Sequence, residues 1–285
     1  MLTSSAITPV VRAALDEDAP WGDVTSEYLI PADATATAAL VAREAGTLSG
    51  AAVFEAAFTL TDPRITVELL RADGAAFAAG DRIAVVSGPA RGILQAERIG
   101  LNFVQRMSGI ATLTAQYVAA IAGTQARIVD TRKTTPGLRA FERAAVRAGG
   151  GHNHRFSLSD AVMAKDNHLA VLTAGGLDVT TALTQVRQRL SHTTHLEVEV
   201  DRIDQVEAVL AAGIDTIMLD NFTPEQLREG VAIVAGRALV EASGNVSLST
   251  VRTIAECGVD VISVGALTHS VRSLDLGLDV AIIPA

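Results

Sequence analysis

The chain has 285 residues, of which 49% are hydrophobic and 4% aromatic, and its formal net charge at pH 7 is −9. This length and composition are typical of a globular α/β enzyme with one large or two unequal domains. The acidic balance argues against nucleic-acid and membrane-surface partners, and the single cysteine, Cys257, excludes an internal disulfide and a cysteine-based metal site. Because no apolar run suits a membrane span and the first residues lack a signal-peptide pattern, a cytoplasmic location is expected.

The first hundred residues predict a small mixed unit, which we take as a first domain over residues 1–105. The first predicted helix is opened by Thr8 and Pro9 and ended by the acids at 16–18, and a turn follows at 21–26. A strand at 34–42 and a helix from Gly50 to Phe58 come next. Strands at 65–70 and 82–86 complete the unit, which 87–89 closes. An amphipathic helix follows at 91–106, and a second helix runs from Ser108 and Gly109 to about residue 122. Arg98 lies on or near the polar side of the helix at 91–106. This position is equally compatible with a solvated side chain and with a functional one.

Six short apolar runs follow, mostly with helical patterns between them. They lie at 127–131, 161–165, 196–200, 216–220, 239–243 and 261–265. The last four begin about 22 residues apart, as expected of repeated βα units in a parallel sheet or barrel. Since a complete barrel of this type has eight strands, we predict an incomplete or irregular α/β barrel.

Polar residues gather where these predicted strands end, which is where an α/β barrel builds its active site. They include Thr131, Arg132 and Lys133 after the first strand and Lys165 at the end of the second. Lys133 and Lys165 are the only lysines of the chain, and residues 149–168 around Lys165 hold three of the six histidines. A compact ammonium in a chain that otherwise uses arginine suggests a functional position, with chance placement as the plain alternative.

Two acids of the third predicted strand share one face, because side chains alternate along a strand. They are Glu197 and Glu199, whose apolar neighbours are expected to meet the helices, so that the acids face into the barrel, where charge is rarely tolerated without a function. By the same alternation, Asp220 shares a strand face with Met218, and Lys165 shares one with Met163. A buried ion pair of Lys165 with either Glu199 or Asp220 is the structural alternative, and it does not exclude a function.

The last two strands end in small residues that suit a phosphate group. Ser243, Gly244 and Asn245 follow one strand, Gly265 and Ala266 follow the next, and His269 offers a further donor. Loops after the late strands of a barrel commonly hold phosphate through backbone N–H groups.

The charged residues form a basic and an acidic group. The basic group consists of Arg132, Lys133, His154, Arg155 and Lys165. It suits a substrate that has carboxylates at one end and a phosphorylated sugar at the other. The acids Glu199 and Asp220 would bind ribose hydroxyls or a Mg²⁺ ion that bridges a pyrophosphate. No Ser-His-Asp or Cys-His arrangement and no dinucleotide-binding glycine pattern is apparent.

At these residues the sequence closely resembles the quinolinate phosphoribosyltransferase family. The segments that carry the resemblance are 97–98, 130–137, 149–168, 197–200, 218–221, 241–245 and 263–268, with a weaker likeness at 17–25. The resemblance implies an N-terminal α/β sandwich over 1–105, joined by 270–285, and an irregular open barrel over 106–269. It also implies a homodimer, or a larger oligomer, in which Arg98 reaches the neighbouring subunit's site.

The reaction implied is phosphoribosyl transfer from phosphoribosyl pyrophosphate to quinolinate with loss of CO₂ and pyrophosphate, which gives nicotinate mononucleotide in NAD biosynthesis. By the resemblance, the carboxylates of quinolinate are bound by Arg98, Arg132, Lys133, His154, Arg155 and Lys165. The ribose is bound by Glu199 and Asp220 with help from Mg²⁺, and the 5-phosphate by the loops Ser243 to Asn245 and Val264 to Ala266. Thr131 and His269 complete the set, in which Lys133, Lys165, Glu199 and Asp220 are the expected catalytic residues.

Three other functions remain open on the sequence. A related phosphoribosyltransferase could take nicotinate or another ring acid, although five cations favour a dicarboxylate. An aldolase could use Lys133 or Lys165 to form a Schiff base. A noncatalytic anion-binding protein is the third, and the inward acids argue against it because they would repel a simple anion.

Overall fold

The computed structural model describes residues 2–283; residues 1, 284 and 285, at the ends of the predicted N-terminal and C-terminal segments, lie outside the described residues. The helices are α1 (Ser4–Asp18), α2 (Val24–Leu29), α3 (Ala51–Thr61), α4 (Ala90–Ala120), α5 (Arg139–Ala148), α6 (Asp166–Thr173), α7 (Val179–Arg189), α8 (Val206–Leu210), α9 (Pro224–Val234), α10 (Val251–Ala255) and α11 (Ala266–His269). The strands are β1 (Thr35–Ala42), β2 (Gly46–Thr47), β3 (Thr66–Leu69), β4 (Ala76–Phe77), β5 (Arg82–Pro89), β6 (Arg127–Val129), β7 (Val162–Ala164), β8 (Leu196–Val200), β9 (Thr216–Asp220), β10 (Leu239–Ser243), β11 (Val261–Ser263) and β12 (Leu276–Ile283). None of the helices in residues 2–283 is long and apolar enough to cross a lipid bilayer.

The first of two compact units contains a four-stranded antiparallel sheet. Its strand order is β12-β1-β5-β3, so the last strand of the chain pairs with the first. Alternate residues of β1 are buried, from Ala36 to Ala42, as the alternating sequence of this strand predicts. Helix α3 packs against α1 and β3, and buries Phe54 and Phe58 in tilted contact with each other.

The second unit contains a six-stranded parallel sheet of order β6-β11-β10-β9-β8-β7. Every pairing within it is parallel, and β6 and β7, which follow each other in the chain, lie at the two edges. The predicted α/β fold is confirmed. The bounds of β8, β9 and β10 agree with the sequence analysis residue for residue.

The predicted start of the first helix was wrong. Helix α1 begins at Ser4 and continues through Pro9, although an interior proline costs a helix about 3 kcal/mol. Its buried residues are Ile7, Val11 and Leu15, which recur every fourth residue. Their burial outweighs the lost hydrogen bond. The expected turn at 21–26 is also too long, because Asp23 accepts hydrogen bonds from the backbone nitrogens of Thr25 and Ser26 and begins α2.

The predicted break at Ser108 and Gly109 does not exist. Helix α4 runs without interruption over Ala90–Ala120. A Cβ atom on Gly109 would lie 2.2 Å from the carbonyl oxygen of Arg272, so this glycine permits a close approach of two backbones instead of ending a helix. Strand β5 continues to Pro89, whereas the sequence analysis ended it at residue 86. The two-residue strands β2 and β4 were not predicted.

Among the described residues, the first unit consists of 2–115, 134–150 and 268–283, and the second of 116–133 and 151–267. The second domain predicted from the sequence covers 106–269, and so includes 106–115 and 134–150, which these compact units place in the first. In the structure Gly149 lies against α4, where an added Cβ would be 2.4 Å from the carbonyl oxygen of Ala111. This contact holds α5 to the first unit.

We expect Gly109→Ala to destabilise the protein. Alanine favours a helix over glycine by about 1 kcal/mol, but the backbone collision is expected to cost about 1–3 kcal/mol or more. Urea unfolding followed by circular dichroism measures the balance. Gly175→Ala is the control, because no heavy atom lies within 4 Å of an added Cβ there. A Gly109→Ala protein as stable as the wild type would contradict this close approach.

Candidate active site

A cleft of about 410 Å³ lies among residues at and just beyond the carboxyl ends of the parallel strands, a volume in the usual range for small-molecule sites. Its charged lining residues are Arg132, Lys133, His154, Arg155, Lys165, Glu199, Asp220 and Glu241. Thr131, Ser243, Ser263, Met163 and Met218 complete the lining. Nine of the sixteen predicted site residues therefore line one cleft, and they come from the ends of five strands and from the loop before β7.

Strand register explains this convergence. Glu199 pairs with Met218 across β8 and β9, and Met218 pairs in turn with Glu241 on β10. Two residues further along, Asp220 pairs with Ser243. Because alternate residues face the same side of a sheet, these side chains form two adjacent rows on one face.

The cations of the cleft are crowded. Burial of Arg155 lowers the pKa of its guanidinium, and the nearby charge of Arg132 lowers it further. One Nη of Arg155 donates to the carbonyl oxygen of Ala161 at 2.9 Å, while the buried Nε of Arg132 has no hydrogen-bond partner among the described residues. Two neighbouring guanidiniums with a donor to spare favour a bound anion.

Lys165 forms an ion pair with Glu199. This is the pair that the sequence analysis gave as a structural alternative. The lysine side chain is 45% exposed, so its ammonium remains accessible from the cleft. Its backbone nitrogen donates to Nδ1 of His168 at 3.0 Å, which fixes the start of α6. The carboxylate of Asp220 accepts a hydrogen bond from the side-chain amide of Asn221 at 2.7 Å.

Beneath the cations lies a buried cluster that the sequence analysis recognised only in part. Nε2 of His154 lies 3.2 Å from a carboxylate oxygen of Glu197 and 3.4 Å from one of Glu241. Both glutamates are only 3% exposed. The other oxygen of each carboxylate is buried and has no hydrogen-bond partner among the described residues. Burial and the charge of Glu241 raise the pKa of Glu197, against the effect of His154.

The protonation of His154 follows from its contacts. Burial disfavours the charged ring, but hydrogen bonds to Glu197 and Glu241 and their charges outweigh it and raise the pKa of His154 to about 10. The backbone N–H of Arg155 points at Nδ1 from 2.7 Å and acts against a second ring proton there. A pKa of about 10 favours a ring with protons on both nitrogens at pH 7, whereas the 2.7 Å contact from the backbone N–H of Arg155 leaves no place for a proton on Nδ1. The contact geometry prevails and gives a neutral ring whose one proton is on Nε2. His154, Glu197 and Glu241 have metal-ligating atoms within 4.8 Å of one another.

The loop that carries His154 is held by Asp130, which is fully buried. One carboxylate oxygen of Asp130 accepts from the backbone nitrogen of His154 at 2.7 Å, and the other accepts from the side chain of Asn153. His152 forms a parallel bridge with Val129 beside it. These bonds join the loop to the end of β6.

The loop after β10 makes a tight turn. Gly244 and Asn245 both have positive φ angles, and so does Asn221 after the neighbouring strand β9. A Cβ on Gly244 would lie 2.1 Å from the side-chain oxygen of Asn221, so only glycine fits there. The amide of Asn245 donates to that same oxygen at 3.0 Å. The predicted residues Val264, Gly265 and Ala266 follow β11 and lead into α11.

Two predicted site residues belong to the first unit. Arg98 is exposed on α4, as its position on the polar side predicts, and His269 is exposed at the end of α11. Nδ1 of His269 lies 2.6 Å from the hydroxyl of Ser270. Neither residue is among those that line the cleft within the described part of the chain.

Glu241 was missed as a site residue. It could have been found by the argument that found Glu197 and Glu199, because it alternates with the buried Val240 and Ala242 and shares its face with Ser243. A single acid in a strand gives a weaker signal than a pair. What the sequence could not indicate is that His154, 87 positions before Glu241, lies beside it.

A second cavity, of about 440 Å³, lies beside α6 and α7. Its lining is mostly apolar and includes Leu158, Leu169, Leu172 and Leu183. Because a polyanion needs several cations, the cleft is the better candidate for the functional site even though this cavity is slightly larger.

Comparison with known proteins gives a consistent result over nearly the whole chain. The family model described as quinolinate phosphoribosyl transferase, N-terminal domain, matches residues 23–108, and the C-terminal domain model matches residues 110–279. The nicotinate-nucleotide pyrophosphorylase [carboxylating] of Mycobacterium leprae is 44% identical over 283 residues, which cover 96% of this chain and 97% of that protein.

Two further relatives agree. The probable nicotinate-nucleotide pyrophosphorylase [carboxylating] of Bacillus subtilis is 41% identical over 93% of this chain and 90% of that protein. The crystal structure of NadC from Streptococcus pyogenes superimposes with a TM-score of 0.94 at 40% identity, and covers 100% of this chain and 99% of that one.

We expect Lys165→Ala to leave the fold nearly as stable as before. The ion pair with Glu199 is partly exposed, and such pairs contribute about 1 kcal/mol or less. Urea unfolding should therefore give a change in the free energy of unfolding below about 1 kcal/mol. Arg237→Ala is a matched control, because Arg237 is 46% exposed and pairs with Glu207. A loss of several kcal/mol at Lys165 alone would mean that the pair is structural.

Proposed function

The chain belongs to the quinolinate phosphoribosyltransferase family, and we propose that its cleft transfers the phosphoribosyl group of phosphoribosyl pyrophosphate to quinolinate. The enzyme is a pentosyltransferase of NAD biosynthesis whose reaction yields nicotinate mononucleotide, CO₂ and pyrophosphate. The observation that carries the assignment to this cleft is its charge pattern. Cations for a dicarboxylate lie within one cavity with two carboxylates suited to ribose hydroxyls.

The basic side of the cleft is the proposed quinolinate site. Arg132 and Arg155 offer planar guanidiniums that suit carboxylates, and Lys133 and Lys165 add flexible point charges. The crowding of the two arginines is relieved when an anion binds between positive charges. Lys165 can turn from Glu199 to a substrate carboxylate because its side chain is half exposed.

The acidic side and the late loops are the proposed site for phosphoribosyl pyrophosphate. Glu199 and Asp220 would accept hydrogen bonds from the ribose hydroxyls, and the loops after β10 and β11 would bind the 5-phosphate through backbone N–H groups. Mg²⁺ would arrive on the pyrophosphate and neutralise part of its charge. The cleft fits a metal delivered in this way, because Glu199 is paired with Lys165 and Asp220 with Asn221, so these acids form no preassembled cage.

The chemistry needs no protein nucleophile. The ring nitrogen of quinolinate forms a bond to the anomeric carbon of the ribose while the bond to pyrophosphate breaks. Positive charge that develops on the sugar is stabilised by the nearby carboxylates. When the bond to the 2-carboxylate breaks and CO₂ leaves, the electron pair stays on carbon 2 of the ring, where the positive charge of the adjacent alkylated nitrogen stabilises it. A proton from water then takes the place of the carboxylate on that carbon. Holding two polyanions in line can lower the barrier by several kcal/mol.

We also propose a homodimer, or a larger oligomer built from it, in which Arg98 binds quinolinate in the neighbouring subunit. The support is that Arg98 is exposed on α4 and that residues 97–98 carry part of the family resemblance. His269 remains a proposed phosphate ligand on the resemblance alone. A cytoplasmic location likewise stays a prediction.

The first test is incubation of the purified protein with phosphoribosyl pyrophosphate, Mg²⁺ and either quinolinate or nicotinate. We expect nicotinate mononucleotide and CO₂ in equal amounts from quinolinate, and no product from nicotinate, because a single carboxylate leaves part of the cationic site unpaired. Product from nicotinate alone would overturn the dicarboxylate assignment of the basic side.

The dimer proposal is tested by mixing two inactive proteins. Arg98→Ala and Lys165→Ala should each lose at least about 100-fold in turnover, because each removes a cation that positions the substrate. If Arg98 acts in the partner's site, randomly mixed subunits form hybrids with one intact site of two, and activity should recover to about a quarter of wild type. No recovery after proven subunit exchange would place Arg98 outside the partner's site.

A further inference from the structure

Two buried acids directly beneath a site for anions require an explanation. Glu241 lines the cleft and Glu197 shares the ring of His154 with it. Both acids are more deeply buried than Glu199 and Asp220, and each keeps a buried oxygen without a hydrogen-bond partner among the described residues. Such groups cost free energy, and their charge would repel a substrate carboxylate. Neither is needed to bind the ribose, for which Glu199 and Asp220 suffice.

The contacts of His154 connect these acids to the cations. Its Nε2 faces both glutamates, and its Nδ1 accepts from the backbone N–H of Arg155. Both polar atoms of the ring are therefore engaged within the protein. A ring held in this way cannot offer a nitrogen to a substrate carboxylate without breaking one of these bonds.

We propose that Glu197 and Glu241 are positioning residues which, through the ring of His154, hold the backbone of Arg155 so that its guanidinium meets a carboxylate of quinolinate. His154 is then a strut, that is, a fixed link between the buried acids and the backbone of Arg155. The proposal rests on the proposed function for its substrate, and on the hydrogen-bond geometry for its residues.

The electrostatic effect of Glu197 on Arg155 also supports a link between the buried acids and this arginine. Glu197 acts on Arg155 directly, since its negative charge opposes the effects of burial and of Arg132 on the pKa of that guanidinium. Arg155 is further tied by its bond to the carbonyl oxygen of Ala161. Asp130 accepts a hydrogen bond from the backbone nitrogen of His154 in the same loop. Together with the contacts of the His154 ring, these bonds hold Arg155 in place.

A double-mutant cycle between Glu241 and Arg155 tests the proposal. We expect Glu241→Gln to raise the KM for quinolinate roughly tenfold and to leave the KM for phosphoribosyl pyrophosphate within about twofold. In an Arg155→Ala background the same substitution should change the KM for quinolinate less than about twofold, because the residue through which Glu241 acts is gone. Glu241→Asp, which keeps the charge, should restore part of the loss.

Glu142→Gln is the matched control, because Glu142 is an equally buried acid that pairs with Arg106. Its effect should be the same with and without the Arg155 substitution. Equal effects of Glu241→Gln in both backgrounds, or an equal rise in the KM of both substrates, would overturn the proposal and leave Glu241 with a purely structural function.

A second measurement is made on the wild-type protein, so it still tests the proposal if the Glu241 variants fail to fold. It also distinguishes a failure of this proposal from a failure of the proposed function. ¹⁵N NMR of histidine-labelled wild-type protein at pH 7, assigned with His154→Gln, should show Nε2 of His154 protonated and Nδ1 accepting a hydrogen bond. A proton on Nδ1 would overturn the strut. This result does not depend on turnover, whereas absence of product from quinolinate with the expected ring state would overturn the substrate assignment alone.

Discussion

The parallel register of β7 to β11 is the constraint on which the candidate site depends. Backbone hydrogen bonds fix Glu199 opposite Met218 and Asp220 opposite Ser243. A shift of one residue in any of these strands would turn its charged residues toward the other face. Since that other face carries Val198, Ile217 and other buried apolar residues, packing against the helices selects the register that exposes the polar set to the cleft.

The positive charges of the cleft lie close to buried negative charges. Four cations line the cleft, and the ring of His154 contacts two buried acids beside them, Glu197 and Glu241. The charge of Glu197 opposes the effect of Arg132 on the pKa of Arg155, and so lowers the electrostatic cost of bringing the two guanidiniums together. This arrangement explains how four cations can stand in one cavity of a chain whose net charge is −9.

Three of the sequence errors share one physical cause. Pro9, Ser87 to Pro89 and Gly109 were interpreted by local preference as a helix start, a strand end and a helix break. Each lies inside a regular element instead. Contacts distant in sequence decide these cases, such as the approach of Gly109 to the carbonyl oxygen of Arg272. Local propensities of 1–3 kcal/mol are readily outweighed by burial of several large side chains.

The sequence by itself determined the α/β class, the bounds of the central strands and the types of residue at their ends. Those features follow from alternation and spacing, which are local. Only the tertiary structure decided that β6 and β7 lie at opposite edges of the sheet and that Glu241 joins Glu197 at His154. Strand order and contacts between distant strands depend on how the whole core packs, and no local pattern of residues encodes them.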